Sequence, residues 1–502
     1  MDCSPPWFFI RSLLGGTFIH IYPFSIKNKM KKFQTNILHR LLLLMLVTIS
    51  AVACMDDETF TSGTKASLSF SRDTVSFDTV FVNVSSSTER LNVFNHSSEG
   101  LEIKNVRLQS GGTSGFRMNV DGQFGTSIDG VQIQKKDSIF IFVEVNVSEN
   151  SLVESAKVTD AIVFTLTDGE EKKVVLEAYG QQAQVLKAEV VKESRMLNAT
   201  LPYLIYDSLV VDKDACLTIP QGTALYFHNG ASLIVHGELK VEGTAERPVA
   251  MRGDRLEKMF PYLPYDRLEN QWGGILLTSS CQGCTINHAD IHSGNYGILC
   301  DGIEGNVSIT NSIIHNVAGY GLYLKDSKAL VANTQISNTK YDCVSIYGGT
   351  TSFIHCTLAQ FYPWTADRGH ALYVSNYVGI ELHMVESSEF YNCFITGYAN
   401  DEVYGNPGEQ ALNLHFHHCV LLTDVKDETY FSQCIAESPD SAAYKEKNFK
   451  MLDTHAYYYD FHLDTLSVAR GKGNAAYSSL YPTDLNGVER KGSPDVGCYQ
   501  FK

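Results

Sequence analysis

Residues 216–253 read CLTIPQGTALYFHNGASLIVHGELKVEGTAERPVAMRG. Very short apolar triplets recur every few residues, punctuated by Gly222, Gly230, Gly237 and Gly243. Downstream the same texture becomes a countable repeat of Asn or His, a small residue or Cys, any residue, and an aliphatic one. It occurs as His288-Ala289-Asp290-Ile291, Asn311-Ser312-Ile313-Ile314, Asn333-Thr334-Gln335-Ile336, His355-Cys356-Thr357-Leu358, Asn392-Cys393-Phe394-Ile395 and His418-Cys419-Val420-Leu421. The aliphatic positions lie 23, 22, 22, 37 and 26 residues apart. A period of about 22 residues is one coil of three short strands, with neighbouring coils stacked ~4.8 Å apart. The excess in the fourth and fifth intervals has to leave the coil as loops.

The 216–253 string closely resembles the opening coils of right-handed parallel β-helix proteins, in which strands of a few residues alternate with tight glycine turns. On that resemblance Leu217, Ile219, Leu225, Phe227, Leu233, Val235, Leu239 and Val241 point inward. The closing segment resembles the last coil and cap of many bacterial β-helix proteins in Asp460 to Leu463, Ser467 to Gly473, Asp484 to Gly487 and Pro494 to Tyr499. The solenoid is expected over residues 186–502.

The chain holds 12 cysteines. Cys356, Cys393 and Cys419 occupy the same place in successive repeats, which predicts a ladder of small, inward, reduced side chains. Cys281 and Cys284 form a CxxC without the second pair a zinc site needs, so no metal site is expected. The Asn or His heading each repeat is placed at a turn, where amide side chains hydrogen-bond along the solenoid axis; these histidines are read as ladder members, not as ligands or bases.

Residues 63–185 differ in texture. Alternating runs, such as Arg90 to Phe94, Ile139 to Val147 and Lys173 to Ala178, are separated by turn signals such as Ser110-Gly111-Gly112 and Thr167-Asp168-Gly169. That pattern predicts antiparallel strands packed as a sandwich. TERLNVFNHSSEGLEIKNVRL followed by DSIFIFVEVNV resembles the Ig-like modules of bacterial surface and ciliary proteins, which implies a spacer or docking unit. No acid, base or nucleophile cluster falls in this stretch.

At 502 residues the chain is too long for one ordinary core, and its 44% hydrophobic content is that of a folded protein. Six Lys/Arg and one Asp give residues 1–53 a charge of +5; taking that from the total of −16 leaves about −21 for the remainder, which excludes nucleic acid as a natural partner. Met30-Lys31-Lys32 followed by the apolar run Leu41 to Val52 reads as a signal peptide within residues 1–53. Met30 is a more natural start than Met1, and residues 1–29 are set aside as doubtful sequence. Ala51-Val52-Ala53-Cys54 resembles a bacterial lipobox, and Met55-Asp56-Asp57-Glu58 resembles the export signal of Bacteroidetes surface lipoproteins. This resemblance implies acylation of Cys54, a short linker over 54–62, and a protein tethered by lipid to the outer face of the outer membrane.

Chemistry is less legible. Polygalacturonase-like hydrolases need clustered carboxylates, in phrases resembling NTD, DDC and GHG followed by RIK. The chain offers Tyr341-Asp342-Cys343 and Arg368-Gly369-His370, with one carboxylate where two are expected, no NTD and no RIK. Uronate lyases need a Lys, Arg or His base and a neutralising group, often Ca²⁺; Asp367-Arg368-Gly369-His370 and the acidic Asn400-Asp401-Glu402 are the nearest approach. Two insertions, 253–272 and 359–377, combine aromatic with charged residues. Tyr262, Tyr265, Trp272, Tyr362 and Trp364 are the candidate sugar platforms there. Equally, these rings could fold back over the solenoid wall.

The leading expectation is therefore an all-β surface lipoprotein, an Ig-like sandwich followed by a right-handed parallel β-helix, binding a polysaccharide or host glycan through its loops without catalysis. A lyase or hydrolase using Asp342, Arg368 and His370 is the alternative, with Ca²⁺ as cofactor only in the lyase case. A purely structural surface protein is the third reading.

Overall fold

The computed structural model describes residues 60–61, 67–149, 156–303 and 305–502. The signal segment, Cys54 and most of the linker lie outside these residues. Among the described residues no helix is long and apolar enough to cross a membrane.

The alternating runs of the first region form two facing sheets. One contains Gly100–Leu108, Lys157–Leu166, Glu171–Gln181 and Thr74–Phe81; the other contains Glu89–Asn95, Ser138–Val145 and Phe116–Val120. Their inner residues, among them Val75, Leu91, Ile103, Ile141, Phe164 and Leu176, make one core. The expected antiparallel pairing holds for most strands. Thr74–Phe81 instead lies parallel to Glu171–Gln181, and Phe60–Thr61 parallel to Gly100–Leu108, each at an edge of the first sheet.

From Gln184 onward the chain winds into a single 26-stranded parallel sheet that closes on itself in three walls. The first wall stacks Ser232–Val235, Gly274–Leu277, Ile298–Asp301, the leading halves of Leu322–Ala332 and Val344–Ile354, then Leu372–Ser375 and Val403–Asn406. The second stacks Glu238–Glu242, Gly283–Asn287, Asn306–Thr310, the trailing halves of the two long strands, Val385–Tyr391 and Leu414–His417. The third stacks Val249–Gly253, Ala289–His292, Ile313–Val317, Gln335–Thr339, Thr357–Gln360, Phe394–Gly397 and Val420–Leu421. All eight residues expected inward in 216–253 are fully buried, as is the aliphatic residue of every repeat.

The repeat has a stereochemical cause. Its leading residues, His288, Asn311, Asn333, His355, Asn392 and His418, all have φ between 47° and 53°. This left-handed conformation turns the chain from the second wall to the third, and among residues with a side chain Asn and His are enriched there. In every repeat but the first, where it is Ala289, the next position is small and polar because its side chain points back at the carbonyl two residues earlier. Ser312 Oγ donates to Thr310 O at 2.8 Å and Thr334 Oγ1 to Ala332 O at 2.8 Å, and the thiols of Cys356, Cys393 and Cys419 do the same at 3.6, 3.4 and 3.5 Å. These three cysteines are reduced and buried, as are Cys281 and Cys284.

The leading residues make the expected axial bonds only in part. Asn333 Nδ2 reaches Asn311 Oδ1 at 3.1 Å, and Asn392 lies 3.0 Å from His355. Their other partners come from the C-terminal segment, which folds back over the third wall. Asn333 bonds Thr483 O, His355 bonds Ser478 Oγ, Asn392 bonds Asn474 O and His418 bonds Asn474 Nδ2, at 2.8 to 3.0 Å. Phe394 and Val420, facing outward from the wall, are buried with Phe361 under Phe449, Phe461, Val496 and Tyr499 of this cap.

Candidate functional site

The two insertions converge on one place, the tip of the antiparallel hairpin formed by Phe449–Asp453 and Tyr458–Leu463. Tyr262 stacks on His455 at 4.9 Å, Arg267 donates to Ala456 O at 2.9 Å and sits over the Tyr458 ring, and Trp364 stacks on Tyr457 at 4.0 Å. Tyr265 is covered by the Arg255 guanidinium at 3.5 Å. Trp272 and Tyr362 are corrections to the sequence reading. Trp272 is 1% exposed, stacked on Phe227 at 4.3 Å with its indole N–H donated to His292 O. Tyr362 is 2% exposed and pairs with Glu269 of the other insertion. Neither offers a ring face to a ligand, because each closes the solenoid wall beneath its own loop.

Asp342, Arg368 and His370 are brought together only in part. The turn from third to first wall carries Asp342 in one coil and His370 in the next, 3.8 Å apart. Both Asp342 oxygens are engaged, one by the His370 backbone N–H at 2.8 Å and the other by the Ser345 hydroxyl at 2.6 Å. The Asp342 carboxylate beside it raises the His370 imidazole above its ordinary value. Arg368 turns away, over the Tyr398 ring at 4.9 Å. Glu402, one coil on, is fully buried, and burial pushes its carboxyl up to about 7 while it caps the backbone N–H groups of Ala371 and Ala399. These carboxylates hold turns in place.

The feature that reasoning from sequence missed lies beside them on the outer face of the first wall. Tyr341, Tyr320, Tyr323, Tyr347, Tyr373, Tyr404 and His370 form an unbroken run of rings, with successive centroids 5.0, 5.3, 5.2, 5.6, 5.2 and 5.4 Å apart. Tyr323, Tyr373 and Tyr404 share one register column, with Ser345 on the coil between the first two, while Tyr347 stands two residues further along that coil, beside Lys325; the four rings thus come from four successive coils and span roughly 14 Å of the axis. Tyr341 and Tyr404 are 45% and 47% exposed and the rest partly so. Burial raises the Tyr320, Tyr323 and Tyr347 phenols, so these hydroxyls stay protonated and can donate. Lys325, paired with Asp301 at 2.5 Å, and the half-buried Asn406 give the row a polar edge, while Ser375 between them is fully buried. Toward the sandwich the wall ends in a shallow cleft of about 310 Å³ lined by Asn229, Asn270, Leu276, Asn295, Tyr296 and Leu299.

A larger cleft, about 860 Å³, opens between the sandwich and the solenoid around His228 and Asp254. Its charged walls are already paired, Arg72 with Glu89 at 2.7 Å and Arg255 with Glu257 at 2.6 Å, and it has no comparable run of rings. The tyrosine wall is the better candidate.

The family described as "Right handed beta helix region" matches residues 296–437, the coils that carry the whole tyrosine row. These residues form a right-handed β-helix. No curated protein matches the chain. Two solved structures are similar to parts of it. A crystal structure of a protein of unknown function from Porphyromonas gingivalis W83 is 10% identical over 24% of this chain and 50% of that one, with a TM-score of 0.19. The ASH/PapD-like domain 7 of human CEP192 is 9% identical over 26% of this chain and 94% of that one, with a TM-score of 0.16. Likenesses this slight carry no argument about the β-helix.

Proposed function

We propose that the β-helix binds an extended glycan of low charge along its first wall, without cleaving it, in a protein held at the cell surface by a lipid on Cys54. The ring row from Tyr341 to Tyr404 carries this reading. Phenol edges and hydroxyls repeating at the coil spacing, close to the length of one pyranose ring, offer apolar contact and hydrogen bonds in step with a linear sugar chain. The excess negative charge disfavours a polyanionic ligand. Asp342 has both oxygens engaged and Glu402 is out of solvent, which supports binding over acid–base chemistry.

The second reading, a polysaccharide lyase or hydrolase, is favoured by one observation, the partly exposed His370 beside Asp342 at the end of the same row. One experiment separates the two. The purified chain is run through gels containing neutral or acidic polysaccharides, and each mixture is assayed for new reducing ends and unsaturated products. Retardation by a neutral glycan, lost in a Tyr373→Ala/Tyr404→Ala variant and without product, is expected. Product formation abolished by His370→Ala would replace binding with cleavage.

A further inference from the structure

On the outer face of the third wall the parallel register assembles a second group of functional side chains. Asp290 and His292 are two apart on the strand Ala289–His292, so both project outward. The next coil places His315 directly beside His292, and the two imidazoles stack at 4.9 Å. His292 Nδ1 lies 2.9 Å and His315 Nε2 3.1 Å from the same Asp290 oxygen. Donor atoms of all three residues fall within 4.8 Å of one another.

We propose that Asp290, His292 and His315 bind one divalent transition-metal ion of the zinc class. Two imidazoles and one carboxylate suit zinc-like ions, whereas calcium and magnesium take oxygen ligands almost alone. With bonds of about 2.0–2.1 Å, two ligands of a tetrahedral zinc lie ~3.3 Å apart, near the two distances the carboxylate already makes. The third edge, between donor atoms within 4.8 Å, closes when the two rings turn toward each other. The Asp290 side chain is 38% exposed, so solvent reaches the group and water can complete the coordination. Arg252, the nearest cation on the preceding strand, is turned to Asp266 at 3.3 Å, which removes its opposition to a bound dication. The ion would tie two consecutive coils, because its ligands come from both. The carboxylate–histidine group at Glu389, His415 and His417 is built differently: each histidine takes its own carboxylate oxygen, at 3.0 Å, so the donors do not converge on one point.

The full chain, stripped with a chelator, is titrated with zinc sulfate by calorimetry and with cobalt(II) by visible absorption. One equivalent of saturable uptake is expected, with a cobalt spectrum of mixed nitrogen and oxygen ligation and a raised melting temperature. His315→Ala, at a side chain 24% exposed and outside the core, should lose that equivalent and the melting shift, while His415→Ala/His417→Ala should keep both. Absence of saturable uptake, uptake that survives His315→Ala, or uptake lost only with His415 and His417 would each overturn the site.

Discussion

The indole of Trp364 lies on the phenol ring of Tyr457 with centroids 4.0 Å apart, one side of a junction whose other side is Tyr262 on His455. An insertion that by composition looks made for a ligand is thereby used against the protein's own C-terminal hairpin. Trp364→Ala should lower stability by about 2 kcal/mol, less than the 3–5 of a fully buried ring because Trp364 is only half-buried. A double-mutant cycle with Tyr457→Ala should show a coupling of about 0.5–1.5 kcal/mol in denaturant melts, while glycan retention stays at the wild-type level.

On the tyrosine wall the opposite is expected. Tyr404, 47% exposed, is the last tyrosine of the row and is in no core cluster. Tyr404→Ala should leave the melting temperature within a degree or so yet weaken glycan binding by roughly 1–2 kcal/mol. Tyr404→Phe separates ring from hydroxyl: retention of most of the affinity assigns the contact to the ring, and loss equal to that of alanine assigns it to the hydrogen bond. Calorimetric titration of both variants reads this directly.

Glu402 sets a pH dependence. Burial raises its carboxyl from an ordinary 4.5 to about 7, so between those values the folded chain holds a proton that the unfolded chain has released. Its contribution to stability is therefore fully present below about pH 4.5, declines as pH rises, and is gone above about 7, a change of roughly 3 kcal/mol. Denaturation midpoints across this window should fall in the wild type and fall less in Glu402→Gln, which has no proton to lose.

Cys356, Cys393 and Cys419 have no exposed surface, and burial pushes the Cys393 thiol well up. All three should resist thiol reagents in the native protein and react after denaturation, as read by mass of the labelled peptides. Cys419→Ser should be tolerated within about 1 kcal/mol, because Ser312 fills the same place earlier in the stack and makes the same backward hydrogen bond.

The coils were legible because their determinants are local. A left-handed turn residue, a small donor and an inward aliphatic follow one another within four positions, so the period survives in the string. The tyrosine row is not local. Residues 320, 323, 341, 347, 373 and 404 are unevenly spaced, since the third-to-first turn grows by insertion, and only strand register reveals them as neighbours. Aligning GLYL, ALYV and DEVY by the strand they open would have exposed Tyr323, Tyr373 and Tyr404 as one column. The same holds for Asp290 and His315, 25 residues apart yet touching. Tyr362 and Trp272 misled for another reason: rings beside charged groups are as useful for sealing a loop onto a wall as for holding a sugar.

The hydrogen bond from Arg267 to Ala456 joins residues 189 positions apart, in a solenoid whose other contacts mostly link one coil to the next. A stack held only by neighbours can unravel turn by turn from its end. Here the C-terminal hairpin reaches back past several turns to an early insertion, so no C-terminal turn can leave while that latch is closed. Unwinding must first release the latch, and the stack then loses its turns together, giving a single sharp transition where a plain array would fray.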